Sequence, residues 1–240
     1  MMKMQLMRKL VLPATVLLFS GLLFSSCNKF DDDGGDNNNI AGLMAFNLSI
    51  DQSPVNFVLN GSIISNVPLG YDNYTGSYIA VFAGDRQLAT YNTISSSPLV
   101  SADVRLDTNL YYSVFFAGAN NNYRNIVVHD NYNGLSASTG MAYIRYVQAI
   151  PDSAAQQVKV SVDGTPYVND FAIYGRVSNF LPVSPGSLTI EVNSATIDTS
   201  RTFPVQAKKV YTLLVVGKPG ATNPERVPQV KFIENGTLPD

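Results

Sequence analysis

The sequence is short of the residues that most often carry chemistry. Its 240 residues include one cysteine, one histidine and no tryptophan, and only 14% of them are charged. A single cysteine excludes an internal disulfide, so apolar cores alone must stabilise the fold. No cysteine pair or histidine cluster has the spacing of a zinc site, and a glycine-rich phosphate loop is also missing. The sequence therefore predicts neither a metal nor a cofactor.

Positive charge is also scarce. The chain has 16 lysines and arginines against 18 acidic residues, and its formal net charge is −2. A mildly acidic chain without a basic cluster is a poor nucleic-acid binder, and it gains little from electrostatic attraction to anionic lipid. We therefore predict that this protein does not bind nucleic acid.

The sole histidine, His129, lies in the strand-like run 126–130. Ser-His-Asp and Cys-His chemistries lose support when no second histidine and no free thiol are present. His129 is interpreted as a packed or surface residue, and the sequence predicts no catalytic residue and no enzyme. A glycosidase needs only two carboxylates, so that class stays as an alternative.

The N-terminal segment has the pattern of a secretory signal peptide. Lys3, Arg8 and Lys9 precede an apolar run over residues 10–23, and small residues lead to Cys27. The apolar run is shorter than the ~20 residues of a membrane-spanning helix. We predict cleavage after residue 26, which takes the formal charge from −2 to −5 because three basic residues are lost.

The segment that ends in Ser25-Ser26-Cys27 resembles the lipobox of bacterial lipoproteins, with Phe24 in the usual place of leucine. This resemblance implies a lipid-modified Cys27. Together with the acidic run that follows Cys27, it implies a protein held at the outer membrane by that lipid and facing the cell exterior.

Residues 27–40 are acidic and rich in glycine and asparagine. Such a composition cannot be buried, so the segment is predicted to be a flexible tether. The run Asp31-Asp32-Asp33 also resembles an export signal for the outer face of the outer membrane. The spacing of a calcium-binding EF-hand is not met.

The rest of the chain has the alternating pattern of β-strands. Apolar residues recur at every second position in the runs 55–59, 158–163 and 188–193, and the turn dipeptides Asn60-Gly61 and Asp163-Gly164 end two of them. A period of two predicts strands with one buried face. The run 210–216 is more uniformly apolar, as a central strand can be.

Three segments recur at an offset of about 100 residues: 55–61 with 158–164, 81–84 with 183–186, and 112–118 with 211–217. This repeat predicts an all-β protein built of two tandem immunoglobulin-like antiparallel β-sandwiches, over residues 41–135 and 141–240. A single large barrel is the alternative.

The second copy also resembles a known family. Its residues 145–152 read Arg-Tyr-Val-Gln-Ala-Ile-Pro-Asp, and the runs 158–164, 183–190 and 211–217 follow. These segments are similar to the bacterial secreted family called domain of unknown function 4397, in which Gln148 is usually histidine. The resemblance implies an exported sandwich and no particular activity.

Two loops rich in tyrosine and asparagine, 70–78 and 119–125, resemble binding paratopes. If strands alternate direction, both loops fall at the end opposite the tether. We predict that one outward patch for a glycan or protein ligand contains Tyr71, Tyr74, Tyr78, Asn122, Tyr123 and Arg124. A polar surface loop without a ligand is the alternative for each.

The sequence therefore predicts a surface-anchored lipoprotein that acts as a non-catalytic binding, adhesion or scaffolding module. The first alternative is an accessory protein or hydrolase that acts on extracellular glycan. A structural envelope component is the second.

Overall fold

The structure is a computed structural model that describes residues 39–151 and 154–239. The described residues contain β-strands and no α-helix. The first eight strands are β1 (Ile40–Asn47), β2 (Val55–Leu59), β3 (Ser62–Ile63), β4 (Ile79–Phe82), β5 (Gly84–Asn92), β6 (Val100–Leu106), β7 (Tyr111–Ala119) and β8 (Asn122–His129).

The next eight strands repeat this arrangement. They are β9 (Ala142–Gln148), β10 (Gln156–Val162), β11 (Thr165–Ala172), β12 (Leu181–Val183), β13 (Gly186–Asn193), β14 (Asp198–Val205), β15 (Lys209–Val216) and β16 (Gln229–Thr237). Within the described residues no helix is long and apolar enough to cross a membrane.

Each half of the chain forms two four-stranded sheets with the same order. The first half pairs as β4-β1-β7-β8 and β3-β2-β5-β6, and the second as β12-β9-β15-β16 and β11-β10-β13-β14. Adding eight to each strand number of the first half gives the second half. The prediction of an all-β protein with two tandem sandwiches is thus confirmed.

One strand pair in each sandwich is parallel. β1 lies parallel to β7, with Phe46 opposite Phe115, and β9 lies parallel to β15, with Val147 opposite Leu214. The other strand pairs in these sheets are antiparallel. The first and seventh strands of each copy therefore point the same way, so the first sheet is mixed.

A tyrosine fixes the same corner in both sandwiches. The hydroxyl of Tyr112 accepts a hydrogen bond from the backbone N–H of Asp107 at 3.0 Å, and that of Tyr211 accepts one from Gln206 at 3.2 Å. A tyrosine that bonds a few residues upstream is typical of immunoglobulin-like sandwiches. This shared contact shows that the internal repeat extends to side-chain detail.

Three apolar clusters lie between the four stacked sheets. One cluster fills the first sandwich around Phe57 and Phe116, and another fills the second around Leu188 and Leu213. The third lies between the sandwiches and joins residues of β1 and β7 to residues of β9, β15 and β16. The two sheets that contain the parallel pairs are therefore covered on both faces.

This layering explains the uniformly apolar run in β15. Leu213 and Val215 face the second core, whereas Leu214 and Val216 face the first sandwich. In a strand that is covered on both faces, every side chain is buried, so apolar residues do not alternate with polar ones.

One segment differs from the sequence expectations. The segment 119–125 is predicted to be a loop, yet β8 starts at Asn122 and pairs with β7 through a tight turn. Asn120 and Asn121 provide this turn, because asparagine tolerates the positive φ of 54° and 64° that it requires.

Candidate functional site at the junction of the sandwiches

The chain crosses between the sandwiches through a short connector, residues 130–141. The connector contains one 3-10 turn, Ala137–Thr139, which ends at Gly140 in a left-handed conformation with φ of 68°. The hydroxyl of Tyr143 accepts a hydrogen bond from the N–H of Ser136 at 3.0 Å. Because Tyr143 belongs to β9, this bond fixes the connector to the second sandwich.

A buried arginine lies at the centre of the junction. The guanidinium of Arg145 donates from Nη1 to Oδ1 of Asp130, from Nη2 to the hydroxyl of Ser113 at 2.9 Å and from Nε to the hydroxyl of Thr212 at 2.9 Å. Ser113 in turn donates to Asp130 at 2.6 Å. A buried charge is tolerated when it is paired and hydrogen-bonded in this way.

Aromatic rings surround the Arg145–Asp130 pair. Tyr78 donates its hydroxyl proton to Oδ2 of Asp130 at 2.5 Å, and the hydroxyl oxygens of Tyr78 and Tyr132 are 2.7 Å apart. Burial raises the pKa of Tyr78 far above its usual range, and Asp130 raises it further. Burial also raises the pKa of Tyr132 to about 12. Both phenols therefore remain neutral at physiological pH.

A second ion pair crosses the interface away from the first. Lys231 of β16 contacts the carboxylate of Asp72, which belongs to the first sandwich. Burial lowers the pKa of Lys231. In both cross-interface pairs the second sandwich supplies the cation and the first half of the chain supplies the carboxylate. This charge pattern favours one arrangement of the two sandwiches.

A cavity of about 620 Å³ opens at the junction, between the end of β8, the connector, β9 and the segment 177–182. A volume of this size is typical of small-ligand sites. Its lining includes His129, Asn131, Asn133, Arg145, Asn179 and Phe180. The three asparagines are exposed. They offer amide donors and acceptors without a net charge.

The cavity contains little for acid–base chemistry. None of the described residues that line it is aspartate or glutamate. The ring of His129 lies beside that of Tyr112, with centroids 5.5 Å apart. In the described ranges, no group of three or more histidine, cysteine or acidic residues could hold a metal ion. The arrangement can hold a polar ligand through hydrogen bonds.

The three tyrosines predicted from the first loop have different contacts. Tyr71 donates its backbone N–H to Ser53, and burial raises the pKa of its phenol to about 12. Tyr74 stacks on Phe46 with ring centroids 5.3 Å apart, at the interface between the sandwiches. Tyr78 bonds Asp130 at the junction.

Backbone hydrogen bonds to β1 position the segment that carries these three tyrosines. The segment that carries these tyrosines runs back along β1: the N–H of Thr75 donates to Ala45 at 3.0 Å, and that of Asn47 donates to Asn73 at 2.9 Å. The segment therefore lies against β1 instead of projecting from the end of the sandwich.

The three residues predicted from the second loop begin β8. Asn122 is exposed, and the Tyr123 hydroxyl is 2.8 Å from the amide of Gln52 and 3.1 Å from the carboxylate of Asp51. Arg124 lies over the ring of Tyr174 at 5.0 Å. Tyr123 packs against the core of the first sandwich, whereas Tyr74 faces the interface. The six residues thus have different contacts, and their role as one ligand-binding patch stays a prediction.

Gln148, which replaces the usual histidine of the family motif, has a counterpart in the first sandwich. The Oε1 atom of Gln148 accepts a hydrogen bond from the N–H of Ile150 at 3.0 Å, and the Oδ1 atom of Asn47 accepts one from Ser49 at 3.1 Å. Each side-chain oxygen thus accepts the backbone N–H two residues later and stabilises a turn at the end of a strand, β9 or β1.

The predicted anchor, Cys27, lies outside the described residues.

Sequence reasoning missed the junction residues. Arg145 was visible as the one charged residue in the strand-forming run 142–148, and Asp130 follows the apolar run of β8 directly. Asn131, Asn179 and Phe180 carry no such signal, because only the packing of the two sandwiches brings their segments together.

Comparisons with known proteins match this chain to solved structures and to one protein family. No curated protein matches this chain. A solved structure of family 41 carbohydrate-binding modules from streptococcal virulence factors, described for alpha-glucan recognition, is 12% identical to this chain. It aligns over 79% of this chain and 96% of its own, with a TM-score of 0.24.

A Bacteroides eggerthii protein whose proposed role is cell adhesion is 10% identical to this chain. It aligns over 85% of this chain and 98% of its own, with a TM-score of 0.22. Neither similarity is strong enough to transfer a ligand. Residues 142–234, which form most of the second sandwich, match the family described as "Domain of unknown function (DUF4397)", as the motif that begins at Arg145 predicts.

Proposed function

We propose that this protein is a non-catalytic binding module that holds a neutral polar ligand in the junction cavity. The observation that carries the proposal is the composition of that cavity. Exposed asparagines supply uncharged hydrogen-bonding groups, and the charge of Arg145 is already balanced by Asp130. A charged ligand would find no free countercharge among these residues.

The lining also favours binding over hydrolysis. A glycosidase needs two carboxyl groups about 5–10 Å apart across the bond that it cleaves. The described lining of the cavity supplies no carboxylate that could act as acid, base or nucleophile.

We further propose that a lipid on Cys27 anchors the module to the outer membrane and that the acidic segment between Cys27 and β1 separates the sandwiches from the bilayer. The support is the sequence pattern of the first 40 residues. An anchored module with a long polar tether would present its cavity to ligands outside the cell.

The test is a binding screen of the purified full-length protein, in detergent, against arrays of immobilised glycans and peptides. Asn179→Ala removes hydrogen-bonding groups from the cavity and should weaken binding about five-fold, the equivalent of ~1 kcal/mol. Asn122→Ala tests the predicted Tyr/Asn patch in the same assay, because Asn122 is an exposed asparagine outside the cavity lining.

The bound ligand should be recovered chemically intact. The cavity assignment is wrong if Asn122→Ala weakens binding and Asn179→Ala does not. Release of a cleaved product would instead support the hydrolase alternative.

A further inference from the structure

An apolar slot of about 170 Å³ opens beside the junction cavity. It lies between the two sheets of the second sandwich, where β11 and β12 are the edge strands of their sheets. Its apolar lining consists of Ile144, Val168, Leu181 and Leu213. Arg145, Ser178 and Asn179 line both the slot and the cavity, so the two spaces adjoin.

The slot has the size and chemistry of a pocket for one apolar side chain. An apolar cavity of about 150 Å³ accommodates a benzene molecule. The carboxylate of Asp170, at the same slot, is already engaged: it accepts hydrogen bonds from Tyr146 at 2.5 Å and from Arg176 at 2.8 Å. The surface that remains for a ligand is therefore largely apolar.

The aromatic rings of the cavity are poorly placed for stacking on a sugar. Phe180 stacks on Tyr132 with centroids 5.5 Å apart, and the guanidinium of Arg145 lies over the Phe180 ring, 4.6 Å from its centroid. Tyr143 is only 4% exposed, and its hydroxyl is bound to Ser136. A glycan would gain hydrogen bonds in the cavity, yet it would leave the apolar slot empty.

We propose that the ligand of this site is an extended polypeptide segment with one bulky apolar side chain. That side chain enters the slot, and the neighbouring peptide groups bond to the asparagine amides of the cavity. The inference rests on the proposed function, because it assigns a ligand class to the same site. An alternation of polar backbone and apolar side chain is what a peptide offers and a sugar lacks.

The test uses full-length protein on an array of immobilised nonapeptides in which the central residue is varied. Peptides with a central leucine or phenylalanine should bind about 10- to 100-fold more tightly than those with glycine, as expected for burial of such a side chain. Val168→Phe fills the slot and should abolish this preference. Ile94→Phe is the matched control, because Ile94 is 93% exposed in the first sandwich.

A second measurement does not depend on folding of the Val168→Phe variant. Isobutanol added to the wild-type protein should shift the methyl NMR signals of Ile144, Leu181 and Leu213 and leave that of Ile94 in place. Unchanged signals at the slot would overturn the inference.

Two further outcomes separate this inference from the proposed function. Glycan binding without peptide binding, or peptide binding that is indifferent to the central residue, overturns the inference and leaves the binding function intact. Binding to neither array overturns both.

Discussion

Arg145 and Asp130 form an ion pair between the two sandwiches, with side chains that are 2% and 0% exposed. Ser113, Thr212 and Tyr78 satisfy the remaining polar atoms of the pair. A buried pair of this kind contributes little net stability compared with apolar residues of the same size, but an arrangement that separates its partners leaves a buried charge uncompensated. The pair therefore favours the arrangement in which Arg145 meets Asp130.

Loss of one partner should be costly. Arg145→Met leaves Asp130 buried without its countercharge and should lower the free energy of unfolding by about 3–5 kcal/mol. The double variant Arg145→Met with Asp130→Asn should recover part of this loss, because it removes the unpaired charge. Chemical denaturation measures both. The matched control is Arg105→Met, which breaks exposed ion pairs to Asp85 and Asp107 and should leave the midpoint unchanged.

The two tyrosine corners should contribute equally to stability. Tyr112→Phe and Tyr211→Phe each leave a backbone N–H without its acceptor and should each cost about 1 kcal/mol. Tyr167→Phe serves as the control in the same denaturation experiment, because its hydroxyl accepts the N–H of Ser184 at an exposed site where water can replace the lost acceptor. A loss for only one of the two corner variants would contradict their structural equivalence.

Leu213 and Leu214 are adjacent but face different cores. Each substitution by alanine should lower the free energy of unfolding by about 2–5 kcal/mol. Hydrogen exchange should separate them: Leu213→Ala should accelerate exchange in the second sandwich alone, whereas Leu214→Ala should accelerate it in β1 and β7 as well. Faster exchange confined to the second sandwich in both variants would show that the interface is not cooperative.

The pKa of Asp170, which lines the slot, should depend on its hydrogen bond to Tyr146. The hydrogen bond from Tyr146 lowers the pKa of this carboxyl, and Arg176 lowers it further. Because the pKa is lower in the folded state, these contacts stabilise the protein at neutral pH, and their contribution is lost as the pH falls through the lowered value. Tyr146→Phe should raise the pKa of Asp170 towards about 4, its usual value.

Carboxyl NMR titration measures this shift. Tyr167→Phe is the matched control, since Tyr167 lies on the same strand as Asp170 and bonds Ser184 instead. An unchanged pKa in Tyr146→Phe would show that the hydrogen bond does not govern Asp170.

Cys27→Ala should abolish membrane attachment or block processing. The lipobox resemblance places the lipid on this residue, and alanine lacks the thiol that would carry it. Without the lipid the chain loses the acyl groups that stable anchoring requires. Fractionation of cells that express the variant gives the readout. Normal cleavage together with continued membrane association would show that the anchor lies elsewhere.

Much of the fold follows from the sequence. The alternation in runs such as 158–163 reflects one buried face, and the offset between repeats reflects one domain length, so strands, turns and their duplication are local properties that the sequence records. Even Arg145 is visible as a charge in an apolar strand. Its partner is not visible, because nothing in the sequence states which carboxylate a neighbouring sandwich will bring to it.

Only the tertiary structure determines the candidate site. Asn131 of the connector and Asn179 before β12 line one cavity because the two sandwiches pack face to face, and Tyr74 is turned to that interface because its segment pairs with β1. The periodicity of a strand predicts which of its residues are buried, because that pattern is local to the strand. The identity of the surface that buries it depends on packing between elements that are distant in the chain, and this was decided by the complementary charges and apolar faces of the two copies.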